Sequence, residues 1–294
     1  MNNVPSDLSA LEGTAFAPTT FRYTERDAIV YALGVGAAAD PLDPASLAFA
    51  YENAPAGFRV LPTFASTFGY ETMWQILGLP GLRINPMMLL HGEHETRVPR
   101  PLPREAALTN HGRLAHVYDK GSGALLLLDV TSEDEQGAVV AENRYTLFAR
   151  GLGGWGGERG PAADSTFPTR PPDASYRQVI PASQALLYRL SGDRNPLHAD
   201  PAIAALAGYE RPILHGLATF GFAAHTLLRH ATAGLVEPFR AIRARFSRHV
   251  FPGETLVVEV WDEGTGDVRF RCRVLERDEI VLANGSLTLA IPQE

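Results

Sequence analysis

Residues 188–200 read YRLSGDRNPLHAD, and the chain runs on from His198 as HADPAIAALAGYERPILHGLATFGF to residue 222. Asp193, Asn195 and His198 form a D-x-N-x-x-H cluster interrupted by Pro196. Gly192 and Pro196 both oppose helix continuation, so the three polar side chains belong to a loop and are free to converge. A carboxylate, an amide and an imidazole within so short a segment can hold and deprotonate one water, and loops on rigid scaffolds are where such chemistry sits. The competing reading is an Asx-type turn, in which Asp193 and Asn195 bond nearby backbone and His198 packs beneath.

Helix signals flank the cluster on both sides. Residues 181–190 read as a short helix whose apolar Leu186, Leu187 and Leu190 follow helical spacing, with Gly192 placed to terminate it. Asp200 suits an N-cap with Pro201 at the first helical position, and Gly208 ends that turn. A third helix is predicted from His215 or Gly216 to about His230, with Leu217, Phe220, Ala224, Leu227 and Leu228 as its apolar stripe. The first-turn N–H groups of that helix lack intrahelical partners and carry the positive end of its dipole. Gly216 offers such a donor with no side chain in the way. A thioester carbonyl set there would be polarised, and a developing enolate would gain about 3–4 kcal/mol from one such donor. Together, a held water and an oxyanion donor describe addition of water across a conjugated double bond.

The segment from Tyr188 to Ala204 resembles the signature of the MaoC-like hydratase 2 enzymes, the (R)-specific 2-enoyl-CoA hydratases. Similar stretches recur at YTERDAIVYALGVGA (23–37), FRVLPTF (58–64), HGEH (91–94), DKGSG (119–123), RARFSRHVFPGETL (243–256) and VLANGSLTL (281–289), so the resemblance covers nearly the whole chain. It implies an α+β double hot-dog fold, two antiparallel sheets each wrapped on a long central helix, with only the C-terminal copy catalytic. It implies syn-type hydration of a 2-trans-enoyl-CoA to a (3R)-3-hydroxyacyl-CoA by a water on the Asp193/His198 dyad, with Asn195 orienting and the Gly216 N–H as oxyanion donor. His91, Gly92, Lys120 and Phe246 would line the CoA and acyl site, joined by Arg194, Pro196 and Leu197 of the motif itself. No cofactor or metal is expected, since the CoA thioester is the substrate. The alternatives are a hot-dog acyl-CoA thioesterase or dehydratase of a synthase pathway, and a non-catalytic acyl-CoA-binding protein.

A duplication is visible independently of the resemblance. IVYALGVG (29–36) matches LLYRLSGD (186–193) with Tyr31 over Tyr188. PTFASTFGYETM (62–73) matches HGLATFGFAAHTL (215–227) through Phe68-Gly69 over Phe220-Gly221, and VVAENRYTLFA (139–149) matches VLANGSLTLA (281–290). Paired segments in one order argue for two copies of one unit. The first copy has Gly36 opposite Asp193 and no counterpart of His198, so it cannot run the same chemistry. The expected organisation is a non-catalytic half over 1–150 that accommodates the acyl tail, a Gly/Pro-rich linker over 151–180, and a catalytic half over 181–294. Met73, Trp74, Met87 and Met88 could line the tail space or be plain core. Strands are predicted at 124–131, 256–261 and 268–275.

The chain has 294 residues, 45% of them hydrophobic, and a formal net charge of −7, which argues against general nucleic-acid binding. A polyanionic CoA ester still needs local positive charge, for which the candidates are Lys120, the one lysine, and Arg243, Arg245, Arg248 and His249. Gly151, Gly153 and Gly156 fit G-x-G-x-x-G, but the prolines that follow exclude the helix a dinucleotide site needs. His91 with His94, and His225 with His230, lack metal-ligand spacing and acidic partners. No G-x-S-x-G elbow surrounds Ser191. Cys272, the single cysteine, is expected in the core, and His225 on a helix surface. The termini show neither a signal peptide nor a peroxisomal tripeptide, and no apolar run suits a membrane span, so a cytoplasmic protein, with a homodimer compatible, is expected.

Overall fold

The computed structural model describes residues 7–161, 167–264 and 266–290. Residues 1–6 and 291–294, on which part of the targeting expectation rests, and residues 162–166 of the linker lie outside the described residues. The strands are β1 (Thr19–Tyr23), β2 (Leu89–Arg97), β3 (Ala106–Asp119), β4 (Gly123–Glu133), β5 (Val139–Arg150), β6 (Ala174–Val179), β7 (Phe239–Phe246), β8 (Thr255–Asp262), β9 (Asp267–Val274) and β10 (Glu279–Leu289). The helices are α1 (Glu25–Gly34), α2 (Pro44–Leu47), α3 (Tyr70–Trp74), α4 (Gln184–Tyr188), α5 (Pro201–Leu206) and α6 (Gly216–Ala231). The predicted helices and strands fall on α4, α5, α6, β4, β8 and β9, each within a few residues of the expected ends.

The strands make one antiparallel sheet in the order β1-β3-β4-β5-β2-β7-β10-β9-β8-β6. That order is a palindrome when β1 is matched to β6, β2 to β7, β3 to β8, β4 to β9 and β5 to β10. The matched stretches 139–149 and 281–290 lie on β5 and β10, so the duplication read from sequence is the symmetry of the sheet. The two expected sheets are fused edge to edge through β2 and β7, where Glu93 faces Arg245 and Glu95 faces Arg243. Opposite charges directly across a pair favour this register, and the Arg243 Nε to Glu93 Oε1 contact of 2.5 Å adds a diagonal link. Fusion leaves neither inner edge unpaired.

Helix α6 lies within the core, with every residue from Leu217 to Leu228 buried. A helix apolar on all sides is stable only when enclosed. Its glycine is required by close approach, because a Cβ on Gly221 would lie 2.4 Å from Val35 Cγ1 and 2.8 Å from Tyr31 Oη. Helices α1 and α4, which carry the first matched pair, pack on each other with the buried Tyr31 and Tyr188 rings 6.1 Å apart. Cys272 is fully buried, and its thiol is pushed up by desolvation. His225, expected on the helix surface, is also buried and meets the Phe49 ring edge-on at 5.9 Å. Its face of α6 is covered by the first half of the chain, which a single-helix pattern does not register.

The first half departs from the expected long central helix. Its counterpart of α6 is a 3₁₀ turn over Pro62–Thr67, then α3, then a second 3₁₀ turn over Gln75–Gly78. Sheet side chains take the carbonyls a continuous helix would use. Asn143 Nδ2 donates to Ala65 O at 2.9 Å, Tyr145 Oη to Ser66 O at 2.9 Å, and Asn110 Nδ2 to Phe68 O at 2.8 Å. The linker is also shorter than its Gly/Pro content suggests, because β6 within it pairs with β8 and forms the outer edge of the second half.

Gly221→Ala gives a test of the core in which two effects oppose. Helix propensity alone would favour alanine by roughly 1 kcal/mol, whereas the contacts with Val35 and Tyr31 make it an overpacking change costing about 1–3 kcal/mol. A lower thermal midpoint for the variant is expected, and a raised one would contradict the close approach of α1 to α6.

Candidate active site

The D-x-N-x-x-H loop is built by backbone capping. Gly192, at φ +128, closes the 3₁₀ turn Arg189–Ser191 in a conformation L side chains avoid. Asp193 Oδ1 then accepts from the Asn195 N–H at 3.1 Å, and Asn195 Oδ1 accepts from the Leu197 N–H at 3.0 Å, opening a 3₁₀ turn over Pro196–His198. The Asx-turn reading is thus realised, and it coexists with a site because these turns aim His198 inward. Asp200 caps α5 through Ala202 N–H at 2.8 Å, as its position suggested.

Two histidines tie this loop to the start of α6. His198 Nδ1 donates to Ile213 O at 2.9 Å; a carbonyl can only accept, so Nε2 of the neutral ring is left as an acceptor. His215, the N-cap residue of α6, donates from Nε2 to the Asp193 backbone carbonyl at 3.1 Å. The two rings stack at 3.7 Å and 28°. The sequence marks His215 only as a helix start, and its part in holding the loop comes from tertiary contacts with the Asp193 carbonyl and the His198 ring that local spacing does not signal. Asp193, His198 and His215 each bring a ligand-capable atom within 4.8 Å of the others. This trio, and neither His91/His94 nor His225/His230, is therefore the place where the described residues could hold a cation.

Burial governs the ionisation of this cluster. Desolvation lowers His198 below the ordinary histidine value, against the pull of the Asp193 charge and the Ile213 carbonyl. His215 is held at about 3 by burial and then by His198, and His91 at about 4 by burial. Near neutral pH the imidazoles around Asp193 are uncharged, so a lone pair on His198 is available to accept a proton.

One cavity of about 270 Å³ gathers the chemistry. Asp193, Asn195, Leu197, His198, Gly216 and Phe246 line it, together with His91 from β2. Phe246 covers Gly216 closely, since a Cβ there would sit 3.2 Å from its ring. The first half contributes Tyr70, Met73, Trp74, Leu89 and Leu90, while Arg248 and His249 supply positive and polar character on the other side. His91 Nε2 and His215 Nδ1 are buried without a partner among the described residues.

Several expected contacts lie elsewhere. Lys120 bonds the carbonyls of Arg159 and Pro161, pinning the linker, and does not line the cavity. Gly92 sits at the register shift between His91 and Glu93, a bulge that turns His91 toward the cavity without lining it. Arg194 and Pro196 are exposed and also outside the lining. Met87 and Met88 are exposed, unlike Met73 and Trp74. Arg243 is engaged by Glu93, so only Arg248 and His249 of the basic stretch reach the cavity. A larger groove of about 620 Å³ crosses β2 to β5, but its Arg97, Arg113 and Arg144 pair with Glu95 and Asp129. It holds neither the loop nor a helix start.

Comparison with known proteins fits this arrangement. The family model of the MFE-2 hydratase 2 N-terminal domain matches residues 21–151, and that of the MaoC-like domain matches residues 164–284. A protein of Arabidopsis thaliana named enoyl-CoA hydratase 2, peroxisomal, is 42% identical over 278 residues, covering 90% of each chain. The chain belongs to the MaoC-like hydratase 2 family. A solved MaoC-like dehydratase from Phytophthora capsici superposes with a TM-score of 0.85 at 34% identity, covering 97% of this chain and 99% of that one. A Mycobacterium tuberculosis protein described as a double hot-dog fold superposes at TM-score 0.59 with 15% identity, covering 95% and 96%, and so shares the fold. The name of the Arabidopsis relative gives a compartment other than the cytoplasm expected here. No helix among the described residues is long and apolar enough to cross a membrane.

Two outcomes follow from this placement. Lys120→Ala should leave the Michaelis constant for a CoA ester unchanged within about twofold, because no cavity contact is lost; a rise of about tenfold, the scale of one charge-assisted bond, would put Lys120 back at the substrate. The buried histidines also set a pH dependence. His91, His215 and His225 are held at about 4, about 3 and about 4, whereas unfolded histidines titrate near 6.5. Below about 6.5 the unfolded chain binds more protons, so the contribution of these groups is complete above that value and is lost as pH falls toward about 4. Thermal unfolding should show a midpoint that drops between about pH 7 and about pH 5, with a shallower drop in His225→Leu; a flat profile would contradict it.

Proposed function

We propose that this protein is an (R)-specific enoyl-CoA hydratase, adding water reversibly across the double bond of a 2-trans-enoyl-CoA. The observation that carries the reading is the convergence of Asp193, His198 and the first turn of α6 at Gly216 on one cavity. The thioester carbonyl accepts from the Gly216 N–H, where the helix dipole and a free donor favour negative charge. Asp193 and His198 Nε2 hold the water beside C3. One of the pair takes a proton as the oxygen bonds to C3, the electron pair moves to the thioester oxygen, and a proton returned to C2 completes the (3R)-3-hydroxyacyl-CoA. Coupled groups this close titrate as a unit, so the roles of base and acid belong to the dyad. Asn195, which shapes the loop through Leu197 N–H, orients the dyad.

Arg248 and His249 stand where a CoA phosphate could be met, and Met73, Trp74, Leu89 and Leu90 offer apolar surface to the acyl tail. The first half, lacking a dyad, serves as the tail-accommodating partner. Dehydration of a 3-hydroxyacyl thioester is the same chemistry reversed, so a dehydratase role in a synthase would use this site unchanged.

Loss of conjugated-enoyl absorbance with a 2-enoyl-CoA, followed by resolution of product chirality, tests the reading. Asp193→Asn and His198→Gln should each lower kcat by about 10²–10⁴-fold, the usual weight of a general acid–base group, with folding intact. Near-normal turnover in either would overturn the dyad. Release of free CoA without a hydroxyacyl product would indicate a thioesterase, and tight binding without turnover a binding protein.

A further inference from the structure

His215 occupies the N-cap of α6 without capping it. An N-cap side chain usually accepts from the N–H of the second or third helical residue, which is why Ser, Thr, Asp and Asn are favoured there. The His215 side chain makes no such bond. It is 1% exposed and lies outside the cavity lining, although Leu214 and Gly216 on either side of it belong to that lining. No oxygen of the cap residue then competes for the helix end where a thioester oxygen would be received. The Nδ1 atom of the same ring is buried without a partner among the described residues, a cost that a residue chosen only for packing would avoid. A missing cap and an orphaned nitrogen at one position are departures from local rules of the kind found at functional sites.

The imidazole is directed back at the dyad loop. A carbonyl can only accept, so His215 Nε2 donates to the Asp193 carbonyl, at 3.1 Å. That bond fixes the peptide that follows Asp193, whereas Gly192 just before it has no side chain to hold it in place. The His198 edge is held by the Ile213 carbonyl through Nδ1, and the His215 ring stacks on its face at 3.7 Å and 28°, which restricts its tilt. The buried Tyr188 ring meets His215 at 4.9 Å and supports it in turn. Burial keeps His215 uncharged, so the stack places no positive charge against a His198 that takes up a proton.

We propose that His215 is a positioning residue for hydration: one imidazole fixes Asp193 through its carbonyl and His198 through its ring face, and so holds both dyad members in register with the Gly216 N–H that follows it in the chain. This rests on the hydration reading of the site.

Three substitutions separate the two contacts. His215→Gln keeps a terminal N–H for the Asp193 carbonyl and loses the ring, His215→Phe keeps the ring and loses the donor, and His215→Leu loses both. His215→Leu should lower kcat by about 10–100-fold, the scale of a dyad displaced by up to an ångström, with KM for the enoyl-CoA within about threefold of wild type. His215→Gln and His215→Phe should each fall between His215→Leu and wild type. A purely structural role would instead lower stability and leave kcat per folded molecule unchanged. A second measurement does not depend on turnover. With ¹⁵N-labelled histidine, the His198 ring resonances should shift in His215→Gln, because the stacked ring that covers its face is gone. Wild-type kcat in His215→Leu, Gln and Phe variants both no faster than Leu, or His198 resonances unmoved in His215→Gln overturns the proposal. A wild-type protein that fails to hydrate enoyl-CoA while the His198 resonances still respond overturns the hydration reading, and with it the catalytic role of His215, and leaves the ring contact standing.

Discussion

The enclosure of α6 is the constraint on which the rest depends. A helix buried from Leu217 to Leu228 needs apolar cover on every side, and no single five-stranded curl supplies it. The second copy of the fold does, by placing α1 against Gly221 and Phe49 against His225, and by fusing its sheet through β2 and β7. The N-terminal end of the same helix is the one place where polar backbone meets the cavity. A helix start without intrahelical partners for its N–H groups, in surroundings of low polarity, is an electrostatic feature of the fold before it is a catalytic one.

The dyad loop follows from that helix end. His215 and Ile213 stand at and just before the first turn of α6, and each takes one bond from the loop, through the Asp193 carbonyl and His198 Nδ1. The loop is therefore referenced to the first turn of α6 at Gly216 by hydrogen bonds of about 3 Å. Burial keeps both imidazoles neutral, which preserves an acceptor on His198 at the cost of stability in acid. Under the proposed function, water holding and carbonyl polarisation share one rigid support.

Much of this was legible in the residues themselves. The helix signals at Gly192, Asp200-Pro201 and His215-Gly216 each became the predicted boundary, because caps and glycine conformations are local properties. The duplication emerged as the palindromic sheet. Less legible were positions decided by distant neighbours. Lys120 carries the composition of a ligand-binding cation, yet the linker carbonyls capture it; His225 has the spacing of a surface residue, yet the other half covers it. The expected central helix of the first half is broken because Asn110, Asn143 and Tyr145, far away in sequence, take its carbonyls.

The sequence by itself determined the class of the fold, its two-copy organisation, the dyad candidates Asp193 and His198, and the helix start at Gly216. The helix start and the loop that carries Asp193 and His198 rest on short-range chemistry, capping and the conformational limits of glycine and proline; the two copies rest on repeated segments, and the double hot-dog class on the family resemblance. Tertiary structure alone decided which charges reach the cavity, how His215 locks the loop, and that Tyr70 of the dyad-free half lines the same cavity as Asp193. Those outcomes depend on which side chains meet across the fused sheet and around α6, a relation between residues scores of positions apart that no local pattern encodes.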